Sequence, residues 1–282
     1  MAHLPFTKMQ GAGNDFIVIN NMELGIDPAR FPAIAKRVCT PRLSLGGDAL
    51  MVADKPEAGG DLRMRFYNSD GTEGEMCGNG ARCLARYAFE NGLSADTMTI
   101  ETVAGPVYGW RLTDREYKIK LNTPEVLELD HPVEINGTVY ECSYVELGNP
   151  GLPHAVVYLP GLKEKSQEEM FPLGAALRSH PSFPKGANVN FYDVEPDGTF
   201  RLLTFERGVE GFTLACGTGT GSTACVLLLK GLAHAQPVCL DMMGGRLKVE
   251  AELTGGKVTG LWLIGDTNVV AKGIITDEDL TL

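Results

Sequence analysis

EMCGNGARCLARYAFENG, residues 75–92, is echoed downstream by ACGTGTGSTACVLLLKGL, residues 215–232. Each stretch opens with Cys-Gly-x-Gly. Each then runs into a segment that reads as a helix. The upstream one has its apolar residues at helical spacing and stops at Asn91-Gly92, and the downstream one reads as largely buried. The two cysteines, Cys77 and Cys216, lie 139 positions apart, about half of a 282-residue chain. Their surroundings also repeat. FIVIN, ALMVAD and LRMRFYN read as strands before Cys77, with a helix over residues 28–39. HAVVYL, NVNFYDVE and FRLLTFERG read as strands before Cys216, with a helix around residues 168–180. More strands follow both helices. The pattern predicts an α/β chain of two pseudo-symmetric domains, and its period is far too long for a solenoid.

Composition narrows the function. A net charge of −11 argues against binding a nucleic-acid backbone, which needs basic patches. No window of 18 or more apolar residues reads as a membrane span, and MAHLPFTKMQGAGNDF lacks the form of a signal peptide. The expectation is a cytoplasmic protein handling a small molecule, with neither nucleic acid nor membrane as partner. Seven cysteines, an odd number, speak against a disulfide framework in that compartment. No C-x-x-C pair occurs and the five histidines are scattered, so no metal site is expected.

The two Cys-Gly turns admit several readings. Glycine-rich helix starts bind anions through backbone N–H groups, but neither a Walker loop nor a dinucleotide fingerprint is present. A cysteine at a helix N-terminus feels the positive end of the macrodipole and the orphan N–H donors, both of which favour thiolate. Glycines after it would remove steric cover and let a carboxylate approach the sulfur and the donors together. Two such turns would set two thiols on opposite sides of one carbon, one taking a proton and the other delivering one. The plain alternative is that a cysteine is a small buried hydrophobe. Cys39, Cys83, Cys142, Cys225 and Cys239 are assigned to that role.

FTKMQGAGNDF, FYNSDGTEGEMCGNGARC, GNP, GANVNF and FERGVEGFTLACGTGTGS resemble, in order and over nearly the whole chain, the signature segments of the diaminopimelate epimerase family. The resemblance implies two α/β (α+β) domains, each a mixed β-sheet or barrel wrapped around a central helix, with the active site in the cleft between them. It implies domains of residues 1–121 with a C-terminal strand at 268–282, and residues 122–267. It implies interconversion of LL- and meso-diaminopimelate without pyridoxal phosphate, metal or any other cofactor, in a homodimer. Cys77 and Cys216 match the acid–base pair. Asn14 matches the asparagine near the reacting head, and Gly78, Asn79, Gly217 and Thr218 match the donors to its α-carboxylate. Asn68, Asn149 and Asn188 match the polar residues around the distal head. Glu206 and Arg207 match the groups for the distal ammonium and carboxylate, a role suited to a bidentate guanidinium. The alternative for the asparagines is turn capping, and for Glu206 and Arg207 a loop ion pair.

Three departures stand out. GNPGLPH separates His154 from the Asn-Pro pair. Gly211-Phe212-Thr213 replaces Gly-Glu-Thr in a loop one residue longer, with Glu210 a candidate for the missing acid. Ala49 stands where some members carry glutamine. They keep a racemase of another amino acid, such as histidine, in view. A rival of another class is a non-catalytic anion- or nucleotide-binding protein.

Overall fold

The computed structural model describes residues 3–280, a mixed α/β chain built mostly of strands with few helices. The chain divides into two units, residues 1–119 with 265–282, and residues 120–264.

The first unit runs β1 (Leu4–Gly11), β2 (Asn14–Asn20), α1 (Asn21–Leu24), α2 (Phe31–Val38), β3 (Ala49–Asp54), β4 (Leu62–Asn68), β5 (Glu73–Gly74), α3 (Gly78–Glu90), β6 (Thr97–Thr102), β7 (Gly105–Arg111) and β8 (Glu116–Lys120). β1 pairs antiparallel with β2, β2 parallel with β3, and β3 and β5 antiparallel with β4. β4 then pairs parallel with β6, and β6 antiparallel with β7.

Alternation along β3 explains why every residue of ALMVAD is buried. Leu50 and Val52 join the cluster filled by Phe31, Ile34, Ala35 and Val38, the i, i+3, i+4, i+7 stripe of α2. Met51 points the other way, where a Cβ on Gly80 of α3 would lie 2.9 Å from its sulfur. A strand covered by helices on both faces reads as an unbroken apolar run. Phe31 is fully buried in that stripe, so Phe31→Ala would cost about 3–5 kcal/mol.

The second unit runs β9 (Pro124–Glu128), β10 (Val133–Ile135), β11 (Thr138–Tyr140), β12 (Cys142–Leu147), β13 (Leu152–Tyr158), α4 (Gln167–Arg178), β14 (Asn188–Val194), β15 (Phe200–Glu206), β16 (Gly211–Thr213), α5 (Gly217–Leu229), β17 (Val238–Met242), β18 (Gly245–Thr254) and β19 (Lys257–Asp266). Its pairings repeat those of the first unit. β12 is antiparallel to β13, β13 parallel to β14, β14 and β16 antiparallel to β15, β15 parallel to β17, and β17 antiparallel to β18.

Here too the strands serve two faces. Val189, Phe191, Leu203 and Phe205 pack with Met170 and Leu177 of α4, while Asn190 and Thr204 face α5. α4 is entered through a capping box, with Ser166 Oγ accepting from Glu169 N and Glu169 accepting from Ser166 N. α5 is buried from Gly219 to Leu227, as its apolar sequence requires. A Cβ on Gly221 would meet Leu121 at 2.8 Å and Leu261 at 3.2 Å, so only glycine lets the helix sit that deep. The chain then returns to the first unit through β20 (Asn268–Ile275), antiparallel to β1.

Candidate active site

Cys77 and Cys216 are the N-cap residues of α3 and α5. Each has an extended backbone, φ −131° and ψ 121° for Cys77, φ −117° and ψ 112° for Cys216. Each sulfur accepts the third helical N–H, from Gly80 or from Gly219, at 3.4 Å. The fourth N–H is bound by the cysteine's own carbonyl, Ala81 N to Cys77 O at 2.7 Å and Thr220 N to Cys216 O at 2.9 Å. The cysteines therefore do the work that Ser or Asp does at an ordinary N-cap.

The second glycine of each motif does not clear a path for a ligand, as the sequence suggested. A Cβ on Gly80 would press on Met51 and come within 3.4 Å of Cys77 Cβ. A Cβ on Gly219 would overlap Asn190 Oδ1 and lie 3.3 Å from Cys216 Cβ. Both glycines face inward, toward their own unit's sheet.

In the first unit, Asn79 Nδ2 donates to Asn14 Oδ1 at 2.6 Å, so the structure brings these two expected residues together beside Cys77. Asn14 in turn donates to Asp48 Oδ2 at 3.1 Å, and Asp15 beside it pairs with Lys8 at 2.8 Å. Behind Asn79 lies Arg82, fully buried, whose guanidinium donates to Asn79 Oδ1 at 2.9 Å. Burial lowers its pKa to about 10, against the raising effect of Cys83, Cys77 and Asp266. Asn68 ends β4 opposite Ala49, is exposed, and donates to Thr72 Oγ1 at 3.0 Å. Its amide holds the 68–72 turn.

In the second unit, Thr213 Oγ1 donates to the Glu206 carboxylate at 2.8 Å, and Glu206 and Cys216 each act on the other's titration. Burial raises the Glu206 carboxyl above the usual range, opposed by Thr213 and Cys216. Burial pushes the Cys216 thiol far up, and the charge of Glu206 adds to it. Thr218 Oγ1 lies 3.5 Å from the sulfur.

Asn188 holds Arg207: its Oδ1 accepts from Arg207 N at 2.9 Å, while its Nδ2 donates to Pro153 O at 3.3 Å. Arg207 Nη1 donates to Lys185 O at 2.8 Å. Asn149 is exposed in the turn between β12 and β13, just before the cis peptide to Pro150.

Glu210 does not stand in as the missing acid. Its carboxylate is held by Arg178, at 2.9 and 2.7 Å, and by Gly208 N on the exposed loop. The assignment of Cys239 to the core also fails, since it is half-buried on β17, whereas Cys39, Cys83, Cys142 and Cys225 are buried.

His154 is fully buried and neutral, its pKa lowered to about 3 by burial and by the charge of Arg207. Asn190 Nδ2 lies 3.2 Å from His154 Nδ1 and Asn190 Oδ1 accepts from Thr204 at 3.0 Å. This network underlies the first turn of α5. It went unseen in the sequence, as did Arg82, because its members come from separate strands. Among the described residues no three His, Cys, Asp or Glu side chains cluster to share a metal ion, and no helix is long and apolar enough to cross a membrane.

The family model described as diaminopimelate epimerase matches residues 6–125 and 147–270. The diaminopimelate epimerase of Aquifex aeolicus is 36% identical over 98% of this chain and 99% of its own length. That of Caldanaerobacter subterraneus subsp. tengcongensis is 35% identical over 96% of this chain and 98% of its own. Among solved structures, a hydroxyproline epimerase from Agrobacterium vitis superimposes with a TM-score of 0.69 at 16% identity, covering 98% of this chain and 94% of that one. A PhzF-family phenazine biosynthesis protein from Enterococcus faecalis gives 0.69 at 16% identity, covering 97% and 99%. At that identity the likeness is one of fold. With two cysteine-capped helices in two repeated units and a family match along both, the chain belongs to the diaminopimelate epimerase family.

Proposed function

We propose that this protein is an isomerase that epimerises LL-2,6-diaminopimelate to meso-diaminopimelate, a step toward lysine and peptidoglycan precursors. The observation that carries the reading is the repeated Cys-capped helix start within a chain that belongs to this family. Cys77 and Cys216 are the proposed acid–base pair. One sulfur removes the proton from Cα as the other thiol delivers a proton to the opposite face. The substrate's α-carboxylate binds the N–H groups of Gly78, Asn79, Gly217 and Thr218. Helix N-termini aimed at that carboxylate stabilise the charge that spreads into it as the Cα–H bond breaks.

Asn14, bonded to Asn79, sits beside the reacting head. Glu206 and Arg207 serve the distal head with Asn68, Asn149 and Asn188, and Asn188 acts through the Arg207 backbone. The reaction is read as cofactor-independent. Each unit is read as one domain of a cytoplasmic homodimer. Val270 and Ile274, exposed on β20, are apolar surface in keeping with such a dimer.

The test is α-deuterium incorporation into LL-diaminopimelate in heavy water, run beside a panel of other amino acids that includes histidine. Exchange with diaminopimelate alone, lost in both Cys77→Ala and Cys216→Ala, is the expected result. Wild-type epimerisation in both variants refutes the two-thiol reaction, and preferential exchange of another amino acid refutes the substrate. Because the two thiols titrate as a pair, the rate is expected to be bell-shaped in pH.

A further inference from the structure

Helix α3 carries an arginine that neither its packing nor the reaction above accounts for. Arg82 has no exposed surface. Its guanidinium turns back toward the helix start, with Nη2 donating to Asn79 at 2.9 Å, Nη1 reaching Gly78 O at 3.5 Å, and Nε without a partner. It lies under the end of β1, where a Cβ on Gly11 would come within 3.7 Å of Nη2 and 3.1 Å of Cys83 Sγ. No ion pair among the described residues includes it. A buried cation is costly unless an anion answers it.

Three titratable groups act on its charge: Cys83 and Cys77 on its own helix, and Asp266 at the end of β19. Cys83 cannot answer it, because burial pushes that thiol up to about 12 and keeps it neutral. Asp266 makes no bond to it. Cys77 is left, half-buried at the cap of the same helix, its sulfur already accepting an N–H. On the Asn14 side the neighbouring charges are Asp48, bonded to Asn14, and the Lys8–Asp15 pair.

The second turn is built the opposite way. The position matching Arg82 is Gly221, packed against leucines. The charge acting on Cys216 is that of the Glu206 carboxyl, held by Thr213 Oγ1 at 2.8 Å, and a negative charge there opposes a thiolate.

We propose that Arg82 is a positioning residue that holds the Asn79–Asn14 pair and keeps Cys77 as the resting thiolate, leaving Cys216 as the resting thiol. This rests on the two-thiol reading above. In the forward turnover that follows, the Cα–H bond breaks and its proton passes to the Cys77 sulfur. The Cys216 S–H bond breaks, and its proton forms the new C–H bond on the other face. Cys77 ends as thiol and Cys216 as thiolate, and exchange of protons with water restores the resting pair.

The experiment is alkylation of the full chain by iodoacetamide, an uncharged probe, across pH 5 to 10, with each cysteine followed by peptide mass. In the wild type Cys77 is expected to react with a lower pH midpoint than Cys216. Arg82→Met should raise the Cys77 midpoint by at least about one unit and leave Cys216 in place. Arg82→Lys should restore most of the difference. The kcat of Arg82→Met should fall at neutral pH and recover as pH rises. A wild-type Cys216 midpoint below that of Cys77 overturns the proposal without any variant. So does an unmoved Cys77 midpoint in a folded Arg82→Met. If the midpoints behave as expected but wild-type protein exchanges no α-proton of diaminopimelate, the two-thiol reading falls and the charge assignment stands.

Discussion

Replacing Gly219 by alanine tests whether the cysteine turn of the second unit is built on the buried Asn190 network. The new methyl would overlap Asn190 Oδ1 and lie 3.2 Å from its Cγ, so the amide must move. Asn190 accepts from Thr204 at 3.0 Å and donates to Ala155 O and Asn188 O, each at 3.2 Å. Overpacking costs about 1–3 kcal/mol, and one buried polar group left unpaired costs about another 1–3. Alanine's better helix propensity offsets about 1 kcal/mol. The expected net loss is about 3 kcal/mol, which at a urea slope of about 2 kcal/mol/M lowers the unfolding midpoint by about 1.5 M. Gly211→Ala is the control, since a Cβ there meets nothing within 4 Å; it should stay within about 0.5 kcal/mol of wild type. In the background of Asn190→Ala the clash is gone, and Gly219→Ala should cost at least about 1 kcal/mol less than in wild type. Equal cost in both backgrounds, or a stabilised Gly219→Ala, refutes the reasoning.

Burial is the main cause of the raised Cys216 thiol and the charge of Glu206 adds to it, so Glu206→Gln should quicken Cys216 alkylation at a fixed pH of about 8; an unchanged or slower rate counts against that coupling. His154 is neutral in the fold, with a pKa of about 3 against about 6.5 when unfolded. Its contribution to stability is therefore present above about 6.5 and is lost as pH falls toward 3, so His154→Gln should flatten the decline in urea midpoint from pH 6 to 4. Asp277, held at about 2 by Arg37 through bonds of 2.7 and 2.8 Å, contributes above its unfolded value near 3.9 and loses that as pH falls toward 2. Asp277→Asn should remove this part of the acid sensitivity; a wild-type acid profile in the variant would show that the pair is too exposed to matter.

Much of the architecture is legible in the amino-acid sequence. The duplication around Cys77 and Cys216, the strands ALMVAD and NVNFYDVE, and the helices behind each Cys-Gly turn follow from local apolar periodicity and turn chemistry, which act over a few residues. The placing of both cysteines at helix N-termini was legible for the same reason. The role of the second glycine was not, because what a Cβ on Gly80 or Gly219 would strike belongs to Met51 and Asn190, 29 residues away in each case. Asn188 resembled a group reaching for a ligand, yet both ends of its amide are engaged by distant backbone.

Arg82 shows the division most clearly. Arg82 and Arg86 stand four residues apart on the same helix, with nothing in their spacing to tell them apart. Arg86 does reach Glu90 and the Thr267 carbonyl, while Arg82 is sealed beneath β1 with no carboxylate among the described residues bound to it. The sequence by itself determined two repeated units, each with a cysteine at the start of a helix, because those features depend on residue type and short spacing. Tertiary structure alone decided that a buried cation stands behind one cysteine turn and that a half-buried carboxyl acts on the other. Burial and charge proximity are set by elements far apart in the chain, and no local pattern encodes them.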